Sequence, residues 1–216
     1  AIMERIGPNG TLCVPTFTYS FQSGESFDID NTASKMGVFA EWVRAHEDVG
    51  RSADPCYSVA AIGHDLQFLL GGVAENSCDT TASFFAKLWC THGKVLNLNF
   101  DAGSTFVHHV EREMNVPYRF DKTFLGVVAS RGTSLLARRS TIWVRYLDDV
   151  LEARFEAFDA LARERGLFCT AALGRGEVGM IGADQTYGVI YDTLTSRPWF
   201  LTKAEVLGIT PDPAKF

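Results

Sequence analysis

The sequence predicts an α/β protein, built as a central mixed sheet flanked by helices with a smaller antiparallel β portion toward the C-terminus. Short apolar runs bounded by Gly, Pro and Asn alternate with segments whose apolar residues recur at helical spacing. The 216 residues are enough to bury a substantial core, and 46% of them are hydrophobic. No repeat and no low-complexity tract interrupts the pattern, so a single domain over 1–216 is expected.

Ala1 to Ile6 reads as the tail of a helix closed by Gly7-Pro8-Asn9-Gly10. No helix start precedes it, so further residues before Ala1 are expected. Thr11 to Phe17 alternates and runs apolar, a buried strand ending at Pro15-Thr16, with Thr16, Thr18, Tyr19 and Ser20 crowding polar groups at its end. In open α/β sheets such carboxyl ends bind ligands, although a plain turn fits equally well. Gln22 to Thr32 is polar and aperiodic, a surface loop. Asn31 to Ser34 then caps a helix from about Lys35 to Arg44, with Met36, Phe39, Ala40 and Val43 inward.

Arg51 to Ser58 is a polar turn leading into the strand Val59 to Gly63, and His64 opens a helix to Leu70. Thr81 to Trp89 is amphipathic, with Phe84, Phe85 and Leu88 inward. After the Gly93 turn comes the strand Lys94 to Phe100. Leu125 to Val128 and Ser140 to Tyr146 read as antiparallel strands around an Arg131-Gly132 turn. A long helix from about Leu151 to Arg165 stops at Gly166. Phe168 to Leu173 and Val178 to Ile181 then flank a hairpin turn at Gly174-Arg175-Gly176, which lacks the third glycine and the lysine of a nucleotide loop. A helix from Ala183 to Leu194 precedes a peripheral tail, Arg197 to Phe216.

Lys and Arg number 20 against 26 Asp and Glu, a net charge of −6, which lacks the basic footprint of nucleic-acid binding. No apolar run approaches the ~20 residues of a membrane span and no signal-peptide pattern opens the chain; a cytoplasmic protein is expected. The five cysteines, Cys13, Cys56, Cys78, Cys90 and Cys169, show no C-x-x-C and no metal spacing. They read as reduced, mostly buried thiols, and no metal is expected.

The chemistry concentrates between Asn97 and Arg119. The strand breaks at Asp101-Ala102-Gly103 and resumes as a helix whose first turns carry Ser104, Thr105, His108, His109 and Glu111. Residues three apart share a helix face, so His108 and Glu111 can touch, whereas His109 points about 100° away. A carboxylate on one ring nitrogen fixes the tautomer and raises the basicity of the other, as a general base requires. A surface His–Glu pair has the same spacing. Arg51 beside Ser52 in a turn has the chemistry of a phosphate contact, by a charged fork and a hydroxyl.

Three blocks in order, G-T-L-C-V-P-T-F-T-Y-S (Gly10 to Ser20), R-S-A-D-P-C-Y-S-V-A-A-I-G (Arg51 to Gly63) and G-K-V-L-N-L through H-H-V-E-R-E-M-N-V-P-Y-R (Gly93 to Arg119), resemble the aminoglycoside N3-acetyltransferase family. The resemblance implies an acetyl-CoA-dependent N-acetyltransferase outside the common acetyltransferase fold. It implies a T-x-x-H-x-x-E pattern at Thr105, His108 and Glu111, with His108 the base and Glu111 its support. It implies a coenzyme A cleft bordered by Thr16, Thr18, Arg51, Ser52 and Ser58. Residues 1–120 would be the coenzyme and catalytic part, and 121–216 the substrate side. Asp54 stands where the family commonly has histidine, and the family's first strand, with its V-H-S-S-like motif, would precede Ala1.

After Phe120, T-I-W-V-R-Y-L-D, G-R-G-E-V and R-P-W-F-L look more like relatives that acetylate amino sugars carried on nucleotides. The expected substrate is therefore an amino sugar, nucleotide-linked in the first reading. An aminoglycoside is the alternative, with Glu25, Asp28 and Asp30 to meet a polycation. Direct attack by the amine, with backbone N–H groups at the helix start and Ser104 or Thr105 facing the oxyanion, needs no protein nucleophile. A Cys-His hydrolase using Cys90 or Cys56, and a coenzyme-binding protein without catalysis, are readings of other classes. A small-molecule amine is the expected partner, with no nucleic acid and no membrane, and a homodimer is allowed for.

Overall fold

A computed structural model of the chain describes residues 2–72, 74–130 and 135–216. The chain forms two compact units, residues 1–87 with 122–142 and residues 88–121 with 143–216. The segment 88–121 thus groups with residues 143–216.

In the first unit, α1 (Ile2–Ile6) leads into β1 (Thr11–Pro15), which pairs antiparallel with β4 (Val59–Gly63). The short β3 (Gly50–Arg51) pairs with the other side of β4, giving the order β1-β4-β3. Val14 of β1 and Ala60 of β4 bury against Ala40 and Val43 of α2 (Val38–Arg44). The loop expected at 22–32 contains a strand, β2 (Phe27–Asp28), because Phe27 is fully buried. β2 runs parallel to the 128–129 end of β6 (Arg119–Ala129), which neighbours β7 (Leu136–Arg145). The Arg131-Gly132 turn lies outside the described residues.

Helix α2 starts three residues later than expected. Gly37 has φ +94°, outside the helical region, and the Ser34 N–H donates to Glu41 Oε2 at 2.8 Å, so 34–37 forms a strap ahead of the helix. Met36 and Phe39, expected inward, are exposed. His64 likewise lies outside α3 (Leu66–Leu70), because Asp65 takes a left-handed conformation at its start. Helix α4 (Phe84–Cys90) buries Phe85 and Ala86, with Phe84 and Leu88 only partly covered.

The second unit holds β5 (Lys94–Leu98), which pairs antiparallel with β9 (Gly176–Gly182), and β8 (Cys169–Leu173) completes the order β5-β9-β8. The β8–β9 hairpin closes at Gly174, at φ +59°, as its Gly-x-Gly turn predicts. Helix α5 (Val107–Glu113) follows β5. Helix α7 (Ala183–Ser196) buries Ala183, Thr186, Val189, Ile190, Thr193 and Leu194 at helical spacing and packs on α5 and on α6 (Glu156–Glu164).

Helix α6 is shorter than the expected 151–165 because the backbone ahead of it pairs elsewhere. Arg154 N–H donates to Leu201 O at 2.9 Å, and Lys203 N–H, at the start of α8 (Lys203–Leu207), donates to Glu152 O at 2.8 Å. That pairing makes the tail part of the core. Trp199, Phe200, Leu201 and Thr202 are buried, contrary to the expected peripheral segment. The α/β class therefore holds, with the strands among the described residues shared by three three-stranded sheets instead of one central sheet.

Of the cysteines, none is in a disulfide among the described residues. Cys56 and Cys78 are buried and Cys13 half-buried, all in the first unit, while Cys90 and Cys169 of the second unit are exposed.

Candidate active site

The turn from β5 into α5 is held rigidly. Asn97 Nδ2 donates to Asp101 O at 2.5 Å and to Gly103 O at 3.2 Å. Asp101 Oδ1 accepts the Gly103 N–H at 2.7 Å, and Asp159 of α6 accepts the Ala102 N–H at 2.9 Å. Gly103 sits in a close-fitting place: a Cβ there would lie 2.7 Å from Asp101 Oδ1 and 3.0 Å from the ring of Phe155, and that ring flanks His108 at 6.1 Å between centroids. Helix α5 begins at Val107, so Ser104 and Thr105 precede it and do not sit in its first turn.

His108 and Glu111 touch as their spacing predicts, with Nδ1 of the ring 2.6 Å from Glu111 Oε2. The imidazole retains 17% side-chain exposure and Glu111 has 1%. Two further residues, absent from the sequence reading of the site, close around the carboxylate. Tyr118 OH donates to Oε1 at 2.8 Å, and Arg119 Nε lies 2.7 Å from Oε2. Asn115, at φ +49°, turns the chain back after α5 and brings both onto Glu111.

Burial by itself would raise the Glu111 carboxyl, but the Arg119 and His108 charges and the hydrogen bonds from His108 and Tyr118 hold it at about 2. Burial, then the Arg119 charge, lowers His108 from 6.5 against the opposing pull of Glu111. With Glu111 ionised, Nδ1 carries the ring proton and Nε2 is the free acceptor.

His109 faces elsewhere. It is fully buried among Phe106, Trp89 and Tyr187, with centroids 5.5, 6.0 and 6.4 Å away. The amides expected to face an oxyanion are occupied: the N–H groups of Val107, His108 and His109 donate to the carbonyls of Ser104, Thr105 and Phe106 at 3.0, 3.1 and 2.9 Å. Ser104 Oγ is buried with no hydrogen-bond partner among the described residues.

The expected coenzyme residues gather in the first unit as a polar seam. Thr16 Oγ1 donates to Ser58 O at 3.1 Å, and Ser58 Oγ returns a bond to Thr16 O at 2.6 Å. Thr18 Oγ1 donates to Pro55 O at 2.9 Å, and Ser52 Oγ accepts the Val59 N–H at 3.0 Å. All four residues are buried. The Arg51 fork reaches Thr16 O at 2.8 Å, Thr32 O at 2.6 Å and Ile29 O at 3.1 Å, and its Nε reaches Thr16 Oγ1 at 3.2 Å. Burial, with Arg44 nearby, lowers this guanidinium to about 10. Asp54 is buried and accepts the Cys56 and Tyr57 N–H groups at 2.8 and 2.9 Å; burial raises its carboxyl above the ordinary range. Asp28 closes its own turn, accepting the Asp30 and Asn31 N–H groups at 2.9 and 3.0 Å.

Burial pushes the thiols of Cys13 and Cys56 up to about 12, which removes the thiolate a cysteine nucleophile needs. Cys90 is exposed, and the nearby His92 places Nδ1 2.6 Å from Asp184 Oδ2 on the surface. No grouping of three His, Cys, Asp or Glu able to hold a metal occurs among the described residues, and no helix there is long and apolar enough to cross a membrane.

The family model of aminoglycoside 3-N-acetyltransferase matches residues 1–195. The chain belongs to that family. This N-acetyltransferase is an acyltransferase of the acetyl-CoA-dependent kind. Among solved structures it resembles AAC-VIa bound to sisomicin (20% identity over 91% of this chain and 82% of that one, TM-score 0.73). It also resembles AAC-IIIb in binary complex with CoASH (20% identity, 88% and 79%, TM-score 0.69). The YokD protein from Bacillus subtilis is similar at 18% identity over 85% and 73% of the two chains, with a TM-score of 0.64. At these identities the likeness is one of fold, and it sets the acetyltransferase apart from the common acetyltransferase fold. No curated protein matches the sequence.

Proposed function

We propose that this enzyme acetylates an amino group of an aminoglycoside with acetyl-CoA, using His108 as general base. The observation that carries the reading is the Glu111 carboxylate on Nδ1 of His108 at 2.6 Å, which leaves Nε2 as the acceptor of an imidazole that is still partly exposed. The substrate ammonium first gives one proton to solvent; as the lone pair so freed attacks the thioester carbonyl carbon, Nε2 takes a second proton from the same nitrogen. The C–S bond then breaks and the departing coenzyme A sulfur recovers the proton from Nε2. With the Val107, His108 and His109 amides engaged, Thr105, three residues before the base, and Ser104 Oγ, which has no partner among the described residues, are the candidate donors to the oxyanion. Sisomicin in AAC-VIa and CoASH in AAC-IIIb support the pairing of these two substrates.

For Thr16, Thr18, Arg51, Ser52 and Ser58 we propose a holding role. Their hydroxyls and the Arg51 fork are spent on neighbouring backbone, keeping the end of β1 against the β3–β4 turn. The free thiols are consistent with a reducing compartment, and we place the reaction in the cytoplasm.

The test is a substrate panel of aminoglycosides and nucleotide-linked amino sugars, with release of coenzyme A as the readout. Turnover is expected with aminoglycosides, and His108→Ala should lower kcat by roughly 10²- to 10⁴-fold with the fold intact. His109→Ala should instead lower the melting temperature and keep most of kcat. Near-normal kcat in His108→Ala would remove the central assignment, and turnover confined to the nucleotide-linked sugars would return the substrate to the first reading.

A further inference from the structure

The Glu111 carboxylate has more partners than an isolated His–Glu pair. Oε2 is approached by both His108 Nδ1 and Arg119 Nε, at 2.6 and 2.7 Å, and Oε1 accepts from Tyr118 OH at 2.8 Å. Arg119 is itself fixed, its NH1 donating to Trp143 O on β7 at 3.2 Å, and Tyr118 packs on Trp199 at 5.8 Å between centroids. We propose that Arg119 is a positioning residue of the acetyl-transfer centre: its guanidinium holds Glu111 as a carboxylate against Nδ1 and keeps the His108 imidazole neutral, so that Nε2 can accept a proton at neutral pH.

The reason is a charge balance in a site with little water. A buried carboxylate alone beside an imidazole favours the imidazolium, which has no free acceptor nitrogen. With Arg119 in place the group of three is neutral when His108 is neutral, and protonating the ring leaves a net positive charge in a largely buried place. The charged groups facing His108 are Glu111 from its own helix and Arg119 from β6; the Phe155 ring on its other flank is uncharged. Tyr118 stays a neutral donor, since burial and then the Glu111 charge raise its phenol well above 10. By holding Oε1 it also prevents the carboxylate from rotating away from the ring. The downward displacement of His108 from 6.5 agrees with this arrangement.

The catalytic meaning of Arg119 rests on the acetyl-transfer reading, whereas the titration of the imidazole does not. Nitrogen-15 NMR of the full chain follows His108, assigned by loss of its signal in His108→Gln, in wild type, Arg119→Lys and Arg119→Gln. In wild type His108 is expected to titrate below 6.5 as the Nδ1–H tautomer. Arg119→Gln should raise its midpoint, and the acid limb of kcat/KM with it, by about one pH unit or more, and Arg119→Lys should restore most of the wild-type value. A purely structural arginine would lower the melting temperature and leave both midpoints where they were, which overturns the proposal. If Arg119→Gln does not fold, the wild-type titration decides, because a midpoint above 6.5 is incompatible with it. A His108 that responds as stated in a chain without acetylation activity would sink the acetyl-transfer reading and leave the role of Arg119 on the ring standing.

Discussion

His108 and Glu111 give the stability of the protein a defined pH dependence. Glu111 titrates near 2 in the fold against 4.5 ordinarily, so its contribution is complete above 4.5 and is lost as pH falls toward 2. The size is on the order of 3 kcal/mol. His108 is also displaced downward, from 6.5, so the unfolded chain takes up its proton first and stability begins to fall below 6.5. Asp54, displaced upward from 3.8, works against both, contributing in acid and losing its contribution as pH rises through its folded value. Melting curves should therefore shift to lower temperature from pH 6.5 downward and more steeply below 4.5. A flat melting temperature across that interval would mean that the buried network does not form in solution. The His108–Glu111 contact was legible in the sequence because three residues on a helix is a fixed geometry. Tyr118 and Arg119 were not, because they return to Glu111 through the left-handed turn at Asn115, and no periodicity spans that reversal.

At the scale of elements, the segment between β1 and residue 32 is tied down by one side chain. Arg51 bonds to Thr16, Ile29 and Thr32 and covers the Phe27 ring at 5.0 Å, so it ties β2 and the 29–32 loop to the end of β1. Arg51→Ala removes these bonds and leaves the carbonyls to find water, a loss of about 2 to 3 kcal/mol. Melting should drop by roughly 4 to 12 °C for a chain of this size, with an unchanged KM for acetyl-CoA. A raised KM at constant melting temperature would return Arg51 to the phosphate contact that its chemistry suggests. Arg beside Ser in a turn reads alike in both roles, because a guanidinium fork fits a phosphate and a set of carbonyls equally well. The same limit applied to α6, where apolar spacing from Leu151 onward predicted helix while Glu152 and Arg154 were committed to backbone pairing with residues 201–203. Pairing partners distant in sequence leave no local trace, whereas the β8–β9 hairpin did, through the glycines of its turn.

At the scale of the whole molecule, the cysteines divide by unit. Cys13, Cys56 and Cys78 are sheltered in the first, and Cys90 and Cys169 face solvent in the second. This division supplies a built-in clock. A chromogenic disulfide reagent added to the native enzyme should consume Cys90 and Cys169 at once. Cys13, Cys56 and Cys78 should follow only as the first unit opens, at a rate that acid or denaturant accelerates and acetyl-CoA retards if that unit holds the coenzyme. Immediate reaction of all five would deny the first unit its packed interior. The order in which sulfur becomes available thus reports, without any engineered label, how often the half that carries β1 and its polar seam comes apart.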